Sequence, residues 1–479
     1  MWAKVFTYVP RVDLIRNVLP VSKLFRREAY WAMRDLDWIQ EWGRIYDPSD
    51  EFLKNMVPPK ALNFTQRCPN DFRSTSDLFC YDGDEIDRLV KQFPSVSKMR
   101  LPNIKETTNE KRTRQVAKME SLIEYHDQGP LYEMDDLLAT LVKNENLRRL
   151  DLSTYRPHKD PRRIFKSVHL WTLSSLPHLS HLGINCEALD AESYQAWNHF
   201  PALTELTLRF LSEVTFSGMT QAMSEELGQR LTLAYLHGEF DEGTPTFLAK
   251  CPHLRDLTLV TRGEVISLSP LPQLKSFRCT SGHFERPLFE CLSSKLETLE
   301  VRMGELRRHS EEQLKDGLRH LKSLTSDLID PFLSEGTVSH QFVVEAVASI
   351  TNLERLRFRP AFSDRVYESY APILESLIFR SNWKCLKHLD LVETPISRKE
   401  LDAICKRFSS LTHLVLSLSG VKKADLACLL KLKALEMLGL ELLGCEGDED
   451  IQQVFAIGNA LFPLDPDGKD AQWDKTRSL

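Results

Sequence analysis

Arg355, Arg357 and Arg359 alternate with Leu356 and Phe358 in the stretch LERLRFRP. In an extended strand this spacing puts the three guanidinium groups on one face and the two apolar side chains on the other. Three neighbouring cations repel one another, and strand propensity gives no reason for them. One reading is recognition of a carboxylate or phosphate on a partner, to which each Arg can donate two parallel hydrogen bonds. The other is internal pairing with Glu300 or Asp390 on nearby strands, or simple solvation. The same alternation turns Thr298, Glu300 and Arg302 outward in LETLEVR, and His388 and Asp390 in LKHLDL. Together with the arginines they make up the candidate binding face. Equivalent positions elsewhere are Arg149, Asp151 and Ser153, then Glu205, Thr207 and Arg209, and later His413 and Val415.

No residue set offers catalysis. The chain has no G-x-x-x-x-G-K-[ST] phosphate loop, no G-x-G-x-x-G, no H-E-x-x-H and no G-x-S-x-G. Its 14 histidines are dispersed and no Cys/His set has zinc spacing. DPDGKD, from Asp465, echoes the start of a calcium loop, but Thr476 stands where the bidentate glutamate belongs. The expectation is therefore a binding protein with no catalytic residue, no metal ligand and no cofactor. A net charge of −6 gives no electrostatic case for nucleic acid or an anionic membrane as partner. No apolar run reaches the roughly 18 residues of a membrane span. Arg11, Asp13 and Arg16 interrupt the N-terminal apolar stretch, which does not read as a secretory signal. The 10 cysteines form no CxxC pair and read as reduced residues of a cytoplasmic or nuclear protein.

Positioning such a face requires strands in series, and the sequence supplies them. LRRLDL (Leu147), LSHLGI (Leu179), LTELTL (Leu203), LRDLTL (Leu254), LKSFRC (Leu274), LETLEV (Leu296), LERLRF (Leu353), LKHLDL (Leu386), LTHLVL (Leu411) and LEMLGL (Leu435) share one pattern. VSKMRL (Val96) is a weaker copy, and LTLAYL (Leu231) and LKSLTS (Leu321) are degraded ones. Most steps are about 20–25 residues, the period of leucine-rich repeats. In L-x-x-L-x-L the later leucines of a short strand point inward and their neighbours outward. In LDLVETPISRKELDAICKRFSSL, Leu401, Ile404 and Phe408 then recur at helical spacing, so each unit reads as strand, turn, helix. Proline in FPSV, LPHL, FPAL, CPHL and LPQL ends the helix before the next strand. No unit buries its apolar side alone; stacked neighbours supply the core. The predicted fold is an α/β leucine-rich-repeat solenoid, a curved parallel sheet inside and helices outside. Residues 104–141 are charged and read as an insertion or enlarged helix with a solvated face; Arg302 to Leu321 reads as an ordinary outer helix.

These repeats resemble the helix-bearing ones of ribonuclease inhibitor and of F-box proteins with leucine-rich repeats. The N-terminal stretch VFTYVPRVDLIRNVLPVSKLFRREAYW adds to this. Its short amphipathic segments are too small to stand alone, and they resemble the F-box at Val5, Phe6, Tyr8, Val9, Pro10, Asp13 and Leu14. The match continues at Val21, Ser22, Lys23, Phe25, Arg26, Arg27 and Ala29. It lacks the Leu-Pro-x-Glu turn that opens the family's motif, so the expected module is an N-terminally incomplete F-box. The resemblance implies binding to a Skp-type adaptor, and through it a cullin, by Val5, Phe6, Val9, Pro10, Leu14, Val21 and Phe25. It implies a substrate-recognition subunit of an SCF-type ubiquitin ligase, the repeats holding a protein substrate. The alternative is a non-catalytic repeat scaffold that does not bind the adaptor. The expected organisation is an F-box-like module over 1–45 and a linker with N-terminal cap over 46–95. Repeats follow over 96–445, then a C-terminal cap and polar tail over 446–479.

Overall fold

The computed structural model describes residues 37–39, 61–63, 83–101, 109–119, 121–127, 134–153, 165, 167–186, 195–210, 223–238, 240, 243–261, 265–279, 282–328, 339–360, 367–419 and 423–443. The adaptor-contact positions expected between Val5 and Phe25, and the C-terminal cap and tail, lie outside these residues. Internal contacts divide the chain into two compact units, Met1–Glu239 and Phe240–Leu479.

In the first unit, strands β1 (Asp37–Ile39), β2 (Ala61–Asn63), β3 (Lys98–Leu101), β4 (Glu124–Asp127), β5 (Arg149–Asp151), β6 (His181–Cys186), β7 (Glu205–Phe210) and β8 (Leu233–His237) pair in sequence order, every pair parallel. Parallel neighbours need a crossover, and helices such as Asn109–Ala117, Met134–Leu141 and Ser167–Ser174 supply it, packing in succession against one another. The leucines of the pattern are the core: Leu147, Leu150 and Leu152, then Leu179, Leu182 and Ile184, then Leu203, Leu206 and Leu208 are all buried. Just before each strand, one carbonyl accepts two N–H groups from the next repeat. Arg148 O takes Ser180 N at 2.8 Å and His181 N at 3.0 Å, and Ser180 O takes Thr204 N and Glu205 N, both at 2.9 Å. The helices stop where the prolines predict: Gly83–Gln92 ends before Pro94, and Ser167–Ser174 before Pro177.

Two sequence expectations require correction here. The parallel ladder extends N-terminal of Val96, with β2 in the stretch expected as linker and N-terminal cap and β1 in the one expected as the helical module; DWI and ALN are too short to carry the leucine pattern. Residues 104–141 are not an insertion but contain a repeat, with β4 pairing to β3 and β5 and a helix on either side. That repeat escaped recognition because its strand, EYHD, places Tyr125 and Asp127 at the inward positions. The helix Asn109–Ala117 does keep a solvated face, with Glu110 and Arg114 exposed, but its other side buries Arg112 and Gln115 wholly. Arg112 Nε stands 3.1 Å from Asp127 Oδ2, both side chains shut off from solvent, and the Tyr125 hydroxyl donates to the same oxygen at 2.9 Å. Burial, with the Asp127 carboxylate beside it, pushes the Tyr125 phenol well above its ordinary range.

In the second unit the order is β9 (Asp256–Val260), β11 (Ser276–Cys279), β13 (Thr298–Arg302), β14 (Ser323–Leu328), β15 (Arg355–Pro360), β16 (His388–Ile396), β17 (His413–Ser419) and β18 (Met437–Leu443), again all parallel. A two-stranded parallel pair, β10 (Val265–Ile266) with β12 (His283–Phe284), stands beside it. The stretch from Arg302 to Leu321 is helical, as expected, in two pieces, Met303–Leu306 and Glu311–Leu318. The second starts with a capping box: Gln313 N–H donates to Ser310 Oγ at 3.3 Å, and Ser310 N–H to Gln313 Oε1 at 3.0 Å. The helix Arg398–Arg407 buries Leu401 and Ile404, and Phe408 follows it, also buried. Each unit is thus a stretch of leucine-rich-repeat solenoid. Among the described residues no helix is long and apolar enough to cross a membrane.

Removing one partner of a buried ion pair leaves the other charge without compensation, at a cost of about 3–5 kcal/mol. Asp127→Ala is expected to destabilise the first unit by that order, seen as faster hydrogen exchange in peptides spanning Glu124–Asp127. Arg112→Met with Asp127→Leu should recover part of the loss, the Tyr125 hydroxyl still lacking its acceptor.

Candidate interaction surface

Register decides which outward side chains meet. In the second unit one row runs Thr298, Ser323, Arg355, His388, His413, Met437 across successive strands. The next runs Glu300, Thr325, Arg357, Asp390, Val415, Gly439. A third aligns Arg302 with Asp327 and Arg359 in backbone register. The structure therefore brings Arg355, Arg357, His388 and Asp390 together on β15 and β16. It holds Thr298, Glu300 and Arg302 one strand further away, because β14 intervenes.

That intervention settles the pairing of the central arginine. Thr325 separates Glu300 from Arg357, whereas Asp390 is a direct neighbour, its Oδ2 lying 2.9 Å from Arg357 Nε. The two side chains remain 37% and 24% exposed, so solvent screens the pair and its net contribution is only about 0.2–1 kcal/mol. Arg355 is exposed in the adjoining row. Beside it His388 and His413 stack, ring centroids 4.1 Å apart. Partial burial first, then the like charges of His413, Arg355 and Lys387, push the His388 imidazole below its ordinary range.

One position upstream of this face, charges alternate from repeat to repeat. Lys275 Nζ is 3.4 Å from Glu297, Glu297 is 2.7 Å from Lys322 Nζ, and Glu354 is 3.0 Å from Lys387 Nζ. Hydrogen bonds from Lys322 and Lys387 hold the Glu297 and Glu354 carboxyls, respectively, below their ordinary range. In the first unit the same position carries hydroxyls instead: Ser180 Oγ donates to Arg148 O at 3.1 Å, and Thr204 Oγ1 to Ser180 O at 3.3 Å.

The first unit carries a second polar cluster, on β4 to β7. Glu205 Oε2 receives Arg149 at 2.9 Å and lies 3.1 Å from His181 Nδ1. The neighbouring row aligns His126, Asp151, Gly183 and Thr207. His126 Nδ1 lies 3.6 Å from Asp151 Oδ2, and Asp151 Oδ1 accepts the Ser153 N–H at 2.9 Å. Asp151 lies over Gly183, where a Cβ would stand 2.4 Å from Asp151 Oδ1; only glycine leaves that space. Burial raises the Asp151 carboxyl, but His126 beside it and hydrogen bonds from Ser153 outweigh it and bring the group down to about 2. His181 is held low by burial and by Arg149, against the pull of Asp151 and Glu205. Among the described residues no group of His, Cys, Asp and Glu is arranged to hold a metal ion.

Strand alternation marks Arg149, Asp151 and Glu205 as outward in the sequence, whereas His126 and His181 join them through strand pairing. His126 sat in the segment taken for an insertion; His181 occupies the slot of Arg355 and His388 in LSHLGI, so the alternation itself was the available signal. Ser323 and Thr325 were passed over because LKSLTS is a poor copy.

The Asp151 shift sets a pH dependence. With a folded value of about 2 against 3.8 for the free group, its contribution is fully present above about pH 4 and is lost as the pH falls toward 2. Asp151→Asn is expected to lower first-unit stability by about 2 kcal/mol near neutrality. The gap from wild type should close as the pH drops below 4, as urea midpoints followed by hydrogen exchange in β5 would report.

No protein-family model matches the chain, and no curated protein does. Among solved structures it is similar to a chain of the crystal structure of the Rad7 and Elc1 complex in yeast. Identity is 15%, coverage 66% of this chain and 88% of that one, and the TM-score 0.36.

Proposed function

We propose that this chain is the substrate-recognition subunit of an SCF-type (cullin-RING) ubiquitin ligase, acting in the cytoplasm or nucleus. A Skp-type adaptor binds the segment from Val5 to Ala29, and a protein substrate binds the outward strand rows. The observation that carries the recognition role is the fixed polar face of the second unit. There Arg355, Arg357, His388, Asp390 and His413 are held at strand spacing on neighbouring repeats. The backbone register fixes where these groups stand relative to one another, which favours docking of a partner of matching spacing. The adaptor role rests on the F-box resemblance of the N-terminal sequence. The subunit makes no covalent bond itself; by holding substrate and adaptor together it raises the effective concentration of substrate lysines near a ubiquitin-charged enzyme.

The test is co-purification of the full chain with a Skp-type adaptor. Leu14→Asp with Val21→Asp places charge in an apolar contact, where each such residue contributes about 2 kcal/mol or more, so retention of the adaptor should fall well over tenfold. Arg355→Glu should leave adaptor retention unchanged and weaken capture of proteins that accumulate when proteasome activity is blocked. If neither the wild-type chain nor a version extended by any upstream coding sequence retains the adaptor, the protein is an interaction scaffold of the repeat type instead.

A further inference from the structure

On the helical side of the second unit two cysteines of successive repeats meet. Cys405 lies in the helix Arg398–Arg407 and is buried; Cys428 lies in the 3-10 turn Ala427–Lys431 and is partly exposed. Cys405 Sγ donates to Cys428 Sγ across 3.1 Å, and both thiols are free. Cys251, Cys279 and Cys291 are buried and Cys385 is exposed. Cys251 and Cys291 donate instead to the carbonyls of Phe247 and Leu268.

We propose that Cys405 and Cys428 are a reversible dithiol–disulfide site, oxidised by a low-molecular-weight disulfide such as glutathione disulfide. Cys428 is the entry point because it alone of the two reaches solvent. The S–H of Cys405 points at its sulfur and stabilises the thiolate, and Lys431 adds positive charge nearby. Together these outweigh burial and Asp402 and hold the Cys428 thiol below its ordinary range. Cys405 is correspondingly held high, by that same contact and by burial, and stays protonated until its partner has reacted.

The exchange runs in two steps. The Cys428 thiolate attacks one sulfur of glutathione disulfide; a Cys428–glutathione bond forms, the S–S bond of the reagent breaks, and one glutathione leaves as thiolate and takes a proton. Cys405 then gives its proton to solvent and attacks Cys428 Sγ, expelling the second glutathione thiolate, which is protonated in turn. Two protein thiols are oxidised to one disulfide while one glutathione disulfide is reduced to two glutathiones. The new bond joins consecutive repeats around β17, which lies between the two cysteines in sequence. In a repeat array each unit is held by its neighbours alone, so a covalent tie between two of them restrains local opening of the strand they enclose. Both sulfurs lie on the helical side, so the outward strand rows stay open in either redox state.

Equilibration of the full chain in glutathione buffers, followed by non-reducing peptide mapping, tests this. The expected product is a Cys405–Cys428 linked peptide, lighter by two hydrogens and reversed by excess glutathione, with slower amide exchange in β17. Cys405→Ser should trap glutathione on Cys428, whereas Cys428→Ser should leave Cys405 unmodified. Exposed Cys385 reports whether the oxidant acted. If wild-type protein carries glutathione at Cys385 and either keeps it at Cys428 or leaves Cys428 free, with no linked peptide, the proposal is wrong.

Discussion

Parallel strands stacked about 4.8 Å apart impose one condition on this molecule: a residue at a given repeat position lies against its counterparts one repeat away. Backbone chemistry enforces it through the carbonyl that accepts two N–H groups at each step, as when Lys322 O takes Glu354 N and Arg355 N at 2.8 and 2.9 Å. Side chains must then be compatible along rows, not only within a repeat. Like charges at consecutive steps would repel, and from Lys275 through Glu297, Lys322 and Glu354 to Lys387 the row alternates in sign, though Arg255 precedes Lys275 with like charge. The first unit meets the same condition with Ser180, Thr204 and Thr232, whose hydroxyls each bond the carbonyl of the preceding repeat.

Inward positions obey a stricter rule, because there is no water to compensate a mistake. Leucine satisfies it at most steps. The repeat around β4 satisfies it differently, with Tyr125 and Asp127 facing Arg112 from the crossover helix. A carboxylate and a guanidinium out of water are tolerable only together, and the phenol completes the set by donating to the oxygen that faces Arg112. Polarity at the core here fixes helix to strand with a geometry that an all-leucine repeat leaves to packing alone.

This explains what the sequence disclosed and what it concealed. Repeats read by leucine spacing, such as LRRLDL and LKHLDL, fold as expected because their inward positions carry the signal. EYHD carries none, and the charges of KETTNEKRTRQVAK suggest solvent, since nothing local tells that Arg112 has an acid waiting on a strand 15 residues on. The outward residues were legible from alternation alone, as Arg355, Arg357, His388 and Asp390 demonstrate. Their partners were not, since pairing depends on strand order. By sequence Glu300 and Asp390 are equal candidates for Arg357; β14 standing between β13 and β15 decides for Asp390.

Strand order also bears on what the outward face can recognise. Arg357 already has Asp390, so an incoming carboxylate gains at that position only the difference between two similar screened contacts. Arg355, with the stacked His388 and His413 alongside, has no such prior claimant on its own row. A partner anion placed over Arg355 therefore gains a new contact, while one shifted a single strand position toward Arg357 meets Asp390 as a repelling neighbour. Discrimination by repulsion requires a fixed charge at a fixed place. The stacked ladder fixes where both charges stand.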